Sequence, residues 1–182
     1  MPGNSDCHSK RAISPVTAKA QTALTKAYDQ AASAHCGTTL TGVNLGGMKL
    51  IPGVYCFASA AQLTGTLKLD AQGNSNSQWI FQMGTTLTTA PNSKVVVNLT
   101  GKGGRGCNVY WQVGSSATVA KGSIFVGNIM ALTSVTLNGG TLRGKALARS
   151  GAISISARET VDGPQCAKSD ATDSNDTASS EN

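Results

Sequence analysis

The sequence predicts an all-β solenoid with one long helix, and three observations carry that expectation. Only one stretch, near the start, shows a helical apolar spacing. From Thr38 onward, short alternating runs are broken by Gly, Asn, Ser and Thr, and their pattern recurs about every 18 residues. The composition also suits stacked coils better than a helical globule. Of 182 residues, 40% are apolar but 4% aromatic, 13% are charged, and there are 21 Gly, 20 Thr and 19 Ser. A charged fraction about half the usual quarter leaves a surface of hydroxyls and amides.

Residues 1–13 are polar and show no period, so they read as a tail. Residues 14–35 predict a helix: Ser14 is placed to cap it, Pro15 fits its first turn, and Gly37 ends it. Val16, Ala20, Ala23, Ala27 and Ala31 step by three and four, so this small-residue stripe is the expected buried face, flanked by Leu24 and Tyr28.

Four later segments align beneath one another: Trp79–Thr88, Val109–Thr118, Asn128–Thr136 and Ala146–Ser154. Each is an alternating strand, a Gly/Ser/Thr corner and a second strand. Thr118, Thr136 and Ser154 are 18 residues apart, whereas the step before them needs an insertion of roughly a dozen residues around Asn98–Gly106. A coil of this size cannot bury its inner face alone, so coils stack. The expected inner positions are Leu67, Leu69, Ile80, Leu87, Val95, Val97, Val109, Val113, Ile124, Val126, Ile129, Leu137, Leu142, Leu147, Ile153 and Ile155, with Trp79, Phe81, Tyr110 and Trp111 in the core or against the helix. The domain spans 14–163. The stretch 164–182 is Ser-, Asp- and Thr-rich without apolar spacing, and disorder is expected there.

The residue inventory argues against catalysis. From Gly37 to Ala157 the only acid is Asp70, and both histidines, His8 and His35, lie outside that stretch. Hydrolytic and metal chemistry need converging carboxylates or imidazoles. No catalytic residue, metal or cofactor is therefore expected, and Asp70 reads as a corner cap in an Asx turn. The net charge of +6 comes from singly scattered cations with few exposed-looking aromatics between them, which disfavours nucleic acid. No run of 18 apolar residues spans a membrane. The five cysteines at 7, 36, 56, 107 and 166 form no CxxC, and their pairing stays open. They lean towards an extracellular setting, as do the acceptor sequences at Asn98 and Asn175. Met1–Lys10 nonetheless lacks the apolar core of a signal peptide.

Residues 52–90, 108–119 and 125–155 closely resemble the ice-binding protein family of microbes and algae known as the DUF3494 type, and the likeness extends over roughly residues 15 to 157. The resemblance implies a right-handed, discontinuous β-solenoid of triangular section with the helix along one face. It implies a secreted, monomeric, non-enzymatic protein whose partner is the surface of an ice crystal. Members carry several dozen residues before the helix that close the solenoid out of sequence order. Here thirteen residues precede Ser14, so an unpaired end coil is expected.

Two hydroxyl ladders are candidates for an ice face. The preferred one follows the loops: Thr64, Thr66, Thr89, Asn92, Ser123, Asn138 and Thr141. In it, Thr89-Ala-Pro-Asn92 fits the family's Thr-Ala/Gly-x-Thr/Asn pattern. The alternative follows the strands: Thr86, Thr88, Ser116, Thr118, Ser134, Thr136 and Ser154, continuing to Ser156. A solenoid adhesin or cell-surface module that binds polysaccharide or protein is the competing functional class.

Overall fold

The computed structural model describes residues 15–98, 107–156 and 160–162. The two predicted tails and Ser14 lie outside the described residues. Helix α1 (Pro15–Ser33) comes first, followed by β1 (Thr38–Thr39), β2 (Lys49–Leu50), β3 (Gly53–Phe57), β4 (Ala61–Leu63), β5 (Thr66–Asp70) and β6 (Trp79–Met83). Then come β7 (Leu87–Thr89), β8 (Lys94–Asn98), β9 (Val109–Val113), β10 (Ala117–Val119), β11 (Ile124–Val126) and β12 (Asn128–Ala131). The last are β13 (Val135–Leu137), β14 (Thr141–Arg143), β15 (Ala146–Ala148), β16 (Ile153–Ile155) and β17 (Thr160–Asp162).

The strands form three parallel sheets, the three sides of a solenoid. Sheet A runs β1-β3-β6-β9-β12-β15, sheet B β4-β7-β10-β13-β16 and sheet C β2-β5-β8-β11-β14-β17. From β5 to β14 each strand bonds to the strands three before and three after it, so the described coils stack in sequence order. Registers such as Thr118↔Thr136 and Thr136↔Ser154 match the 18-residue step. Leu87 and Ala117 pair across the longer coil, 30 residues apart, which holds the predicted insertion.

The interior is filled by alternate side chains of each strand. Phe81, Trp111, Leu67, Leu69, Ile129, Leu137 and Leu142 are fully enclosed. An aromatic column rises through the coils behind sheet A: Tyr55 stacks on Phe81 at 5.5 Å, Phe81 on Trp111 at 4.0 Å, and Trp111 tilts against Phe125 at 4.8 Å. Its polar atoms are satisfied, Trp111 Nε1 donating to the Val126 carbonyl at 3.0 Å and Tyr55 Oη to that of Ile51 at 2.6 Å. Burial holds the Tyr55 phenol above its ordinary pKa.

Helix α1 lies on the outside of sheet A, but on a different stripe from the expected one. Leu24, Tyr28 and Ala31 are buried with Met130, and Ala27 packs beside Ile80, Tyr110 and Leu147. Ala20 and Ala23 are exposed. The packed stripe 24-27-28-31 has helical spacing and carries the two largest apolar side chains, which remove more surface from water than alanines do. Tyr28 also anchors the helix: its Oη donates to the Val113 carbonyl at 3.3 Å and accepts from Gln112 Nε2 at 2.8 Å. Gln82 Nε2 meets the carbonyls of Ala31 at 2.8 Å and Ala34 at 2.7 Å, partners that the helix's own ladder leaves free. Arg149 stacks over the Tyr28 ring at 4.8 Å and pairs with Asp29 at 3.2 Å. A disulfide joins Cys36, just past the helix, to Cys56 on β3.

Three expected inner residues lie elsewhere, and two more hold inner positions without being buried. Ile80 and Leu147 face the helix, because sheet A is covered on both sides. Ile124 is half-buried in the row of Thr66, Lys94 and Thr141, which points outward from sheet C. Ile153 and Ile155 do hold inner registers, opposite Val135 and Leu137, yet are 42% and 56% exposed because β16 is the last strand of sheet B. Asp70 caps a corner as expected: its Oδ1 accepts from the Gln72 N–H at 3.0 Å, and its other oxygen is 2.7 Å from Lys49 Nζ.

Candidate functional site

Sheet A is occupied by the helix, which leaves B and C as open faces. They differ in charge. Alternation along each strand of sheet B sends Leu87 and Thr89, Ala117 and Val119, and Val135 and Leu137 inward, all of them buried. The residues between them point out and are in register across the sheet: Gln62, Thr88, Thr118, Thr136 and Ser154. Asn44 extends this row by one coil through a bridge to Gln62.

The same parity continues just outside the strands and produces two flanking rows. One is Ala60, Thr86, Ser116, Ser134 and Ala152, and the other is Thr64, Ala90, Ala120, Asn138 and Ser156. Every member is exposed or half-buried, and none carries a charge. Within the first, Ser116 and Ser134 share a hydroxyl–hydroxyl hydrogen bond of 2.9 Å. Parallel strands about 4.8 Å apart and i,i+2 residues about 6.6 Å apart make this a rectangular array of small polar groups. The six coils from Asn44 to Ser154 span about 24 Å.

The strand-following ladder of Thr86, Thr88, Ser116, Thr118, Ser134, Thr136 and Ser154 thus lies together on sheet B. The loop-following ladder is divided. Thr64 and Asn138 are exposed on the third row of sheet B. Thr66 and Thr141 belong to sheet C, in register with Lys94 and Ile124. Asn92 is exposed in the corner between β7 and β8, with φ at 61°.

Thr89 and Ser123, expected to point outward, are 3% and 1% exposed and face the interior. Their hydroxyls stitch the corner. Thr89 Oγ1 accepts from the Ala120 N–H at 2.8 Å and lies 3.4 Å from Ser123 Oγ, which donates to the Ala90 carbonyl at 3.2 Å. Ser93, also buried, donates to the carbonyls of Leu63 at 2.9 Å and Ala90 at 2.7 Å. The Ala120 N–H finds its acceptor in Thr89, and the Leu63 and Ala90 carbonyls, which accept from the Ala90 and Ser93 N–H groups, gain hydroxyl donors on their remaining lone pairs. Alternation from Leu87 already assigned Thr89 to the inside. Gln62 and Asn44 were missed because neither fits a hydroxyl pattern, and only strand register brings them into the row.

Among the described residues no three His, Cys, Asp or Glu side chains gather to hold a metal. A shallow depression of about 480 Å³ beside the helix is lined by Tyr28, Cys56, Gln82 and Gln112, among others. The amides and the phenol there are already engaged in holding the helix.

The family described as Ice-binding-like matches residues 2–161. An ice-binding protein of Nostoc sp. (strain HG1) is 49% identical over 142 residues, covering 77% of this chain and 51% of its own length. Ice-binding protein 1 of Shewanella frigidimarina (strain NCIMB 400) is 30% identical over 126 residues, 68% of this chain and 14% of its own. The chain therefore spans about half the length of the first relative and much less of the second. The crystal structure of an ice binding protein from an Antarctic biological consortium superposes with a TM-score of 0.75 at 36% identity, over 82% of this chain and 67% of that one. That of an Antarctic ascomycete, Antarctomyces psychrotrophicus, gives 0.75 at 32% identity, over 80% and 70%.

Proposed function

Because the chain belongs to the Ice-binding-like family, we propose that it adsorbs to ice crystals through sheet B and so restrains their growth or recrystallisation. The observation that carries this reading is the row Gln62–Thr88–Thr118–Thr136–Ser154 with its two flanking rows, in register and free of charge.

Ice is a periodic lattice of water oxygens, and a surface that binds it must hold water at a repeating pitch. Coils stacked about 4.8 Å apart supply the pitch. Thr is β-branched, so its χ1 is already narrow and little side-chain entropy remains to be lost. Its hydroxyl hydrogen-bonds to water and its methyl excludes disordered water. Interspersed Ala60, Ala90, Ala120 and Ala152 keep the flanking rows low. A Lys or Asp on the same surface would hold its own hydration shell against the lattice. The buried hydroxyls of Thr89, Ser93 and Ser123 keep the corner between sheets B and C rigid without facing the ice. A monomer acting outside the cell fits this reading, and the Cys36–Cys56 disulfide is of the kind that persists in oxidising surroundings.

The test is ice itself. A single crystal grown in a dilute solution of the purified chain is expected to become faceted and to show a gap between melting and freezing temperatures. Round discs with no gap would sink the proposal.

A further inference from the structure

Sheet C gathers the cations that sheet B excludes. Lys49 and Lys68 stand in register on β2 and β5, and Val96 on β8 follows Lys68. Lys94 stands in the adjacent outward row with Thr66, Ile124 and Thr141, and Arg143 on β14 points the same way. All four cations are exposed. Asp70 is committed to Lys49 at 2.7 Å, and Asp162 stands opposite Arg143 on the last strand. Among the described residues, Lys68, Lys94 and Arg143 have no carboxylate within ion-pair distance. Strand spacing puts Lys68 and Lys94 about 8 Å apart and Arg143 about 14 Å from Lys68. Lys121 and Lys145, at the corners bounding sheet C, add two more exposed cations.

Unpaired like charges on one rigid face repel one another and raise the local concentration of anions. The described aromatics are inside the solenoid or under the helix, so the face has no platform for stacking bases. Its exposed aliphatics, chiefly Ile51 and Val96, are too few to enter a bilayer. What remains is a flat strip in which ammonium and guanidinium groups outnumber the carboxylates of Asp70 and Asp162, interspersed with the polar side chains of Thr66, Thr141 and Asn98.

We propose that sheet C binds an anionic, uronate-bearing polysaccharide laid across the strands. Lys68, Lys94 and Arg143 would take its carboxylates and Thr66 and Thr141 its hydroxyls. Charge-assisted contacts of this kind are strong and sensitive to salt. Sheets B and C are different sides of the solenoid, so a polysaccharide on C leaves B uncovered. The inference rests on sheet C alone.

The probe is alginate, with neutral dextran, duplex DNA and anionic lipid vesicles measured alongside by calorimetry. At about 10 mM salt the chain is expected to bind alginate saturably. At about 1 M salt, where the screening length has shrunk to about 3 Å, binding is expected to be lost. The triple variant Lys68→Gln, Lys94→Gln, Arg143→Gln should weaken it about tenfold or more. The triple variant's melt and ice activity should match the parent, which separates this inference from the one about sheet B. Absence of alginate binding at low salt, equal binding by the triple variant, or equal affinity for dextran, DNA or vesicles would overturn it.

Discussion

Replacing Thr118 with Lys tests the sheet B reading most directly. Thr118 is on the central strand of five, with β7 and β4 on one side and β13 and β16 on the other. Its side chain is half-exposed in the outward row, so a Lys there displaces nothing from the core. The five-strand row is about 19 Å long, and a hydrated ammonium at its centre leaves two strands, about 5 Å, on each side. Fewer than half of the strands then remain contiguous, so thermal hysteresis and recrystallisation inhibition should fall by more than half. Exchanging Thr for Lys on a strand costs at most about 1 kcal/mol, or about 2–4 °C of Tm for a domain of this size. Thr141→Lys is the matched control, since its row on sheet C already contains Lys94, and activity should be unchanged. Hysteresis measured at several concentrations, beside circular dichroism melts, reads both effects. Full activity in Thr118→Lys, or loss of activity in Thr141→Lys at an unchanged Tm, would refute the reasoning and return the face to the loop-following ladder.

Three further outcomes follow from the interior and the corners. Thr89→Val keeps the shape of the buried side chain but strands the Ala120 N–H, which should cost about 1–3 kcal/mol in chemical denaturation. Asp70 is held below the ordinary carboxylate range, first by the hydrogen bond from Lys49 and then by the Gln72 N–H. A lowered folded pKa stabilises the native state above the unfolded value, about 3.9, and that contribution disappears as pH falls through the folded pKa. Melting temperatures below about pH 4 should therefore fall more steeply for the parent than for Asp70→Asn. Cys36→Ser opens a loop closed across 20 residues and should cost about 3 kcal/mol in guanidinium titrations, with the non-reducing parent as reference.

Much of this architecture was legible before any coordinates, and the reasons are local. Thr118, Thr136 and Ser154 recur at one spacing because consecutive coils have one perimeter, and alternation placed Leu87, Leu137 and Leu142 inside. The helix was legible but its packed stripe was not. Alanine spacing pointed one way, while Leu24 and Tyr28 had more surface to bury and a hydroxyl partner across the interface. The loop-following ladder was divided by corner geometry. A Thr or Ser beside a turn can face water or face in; here Thr89 faces in and supplies the acceptor for the Ala120 N–H, and Ser123 faces in beside it, donating to the Ala90 carbonyl. Charge segregation between sheets B and C was hidden as well, because Lys68, Lys94 and Arg143 are far apart in the chain and meet only through register.

Pairing between strands three places apart has a consequence for how such a molecule can change. A coil near the middle, such as residues 118–135, contacts its two neighbours and little beyond them, so stability accumulates turn by turn. Duplicating that unit would lengthen the array by one increment of about 4.8 Å and leave both ends as they were. Size is thus a tunable variable for a protein of this design, set by repeat number and not by reinventing a core.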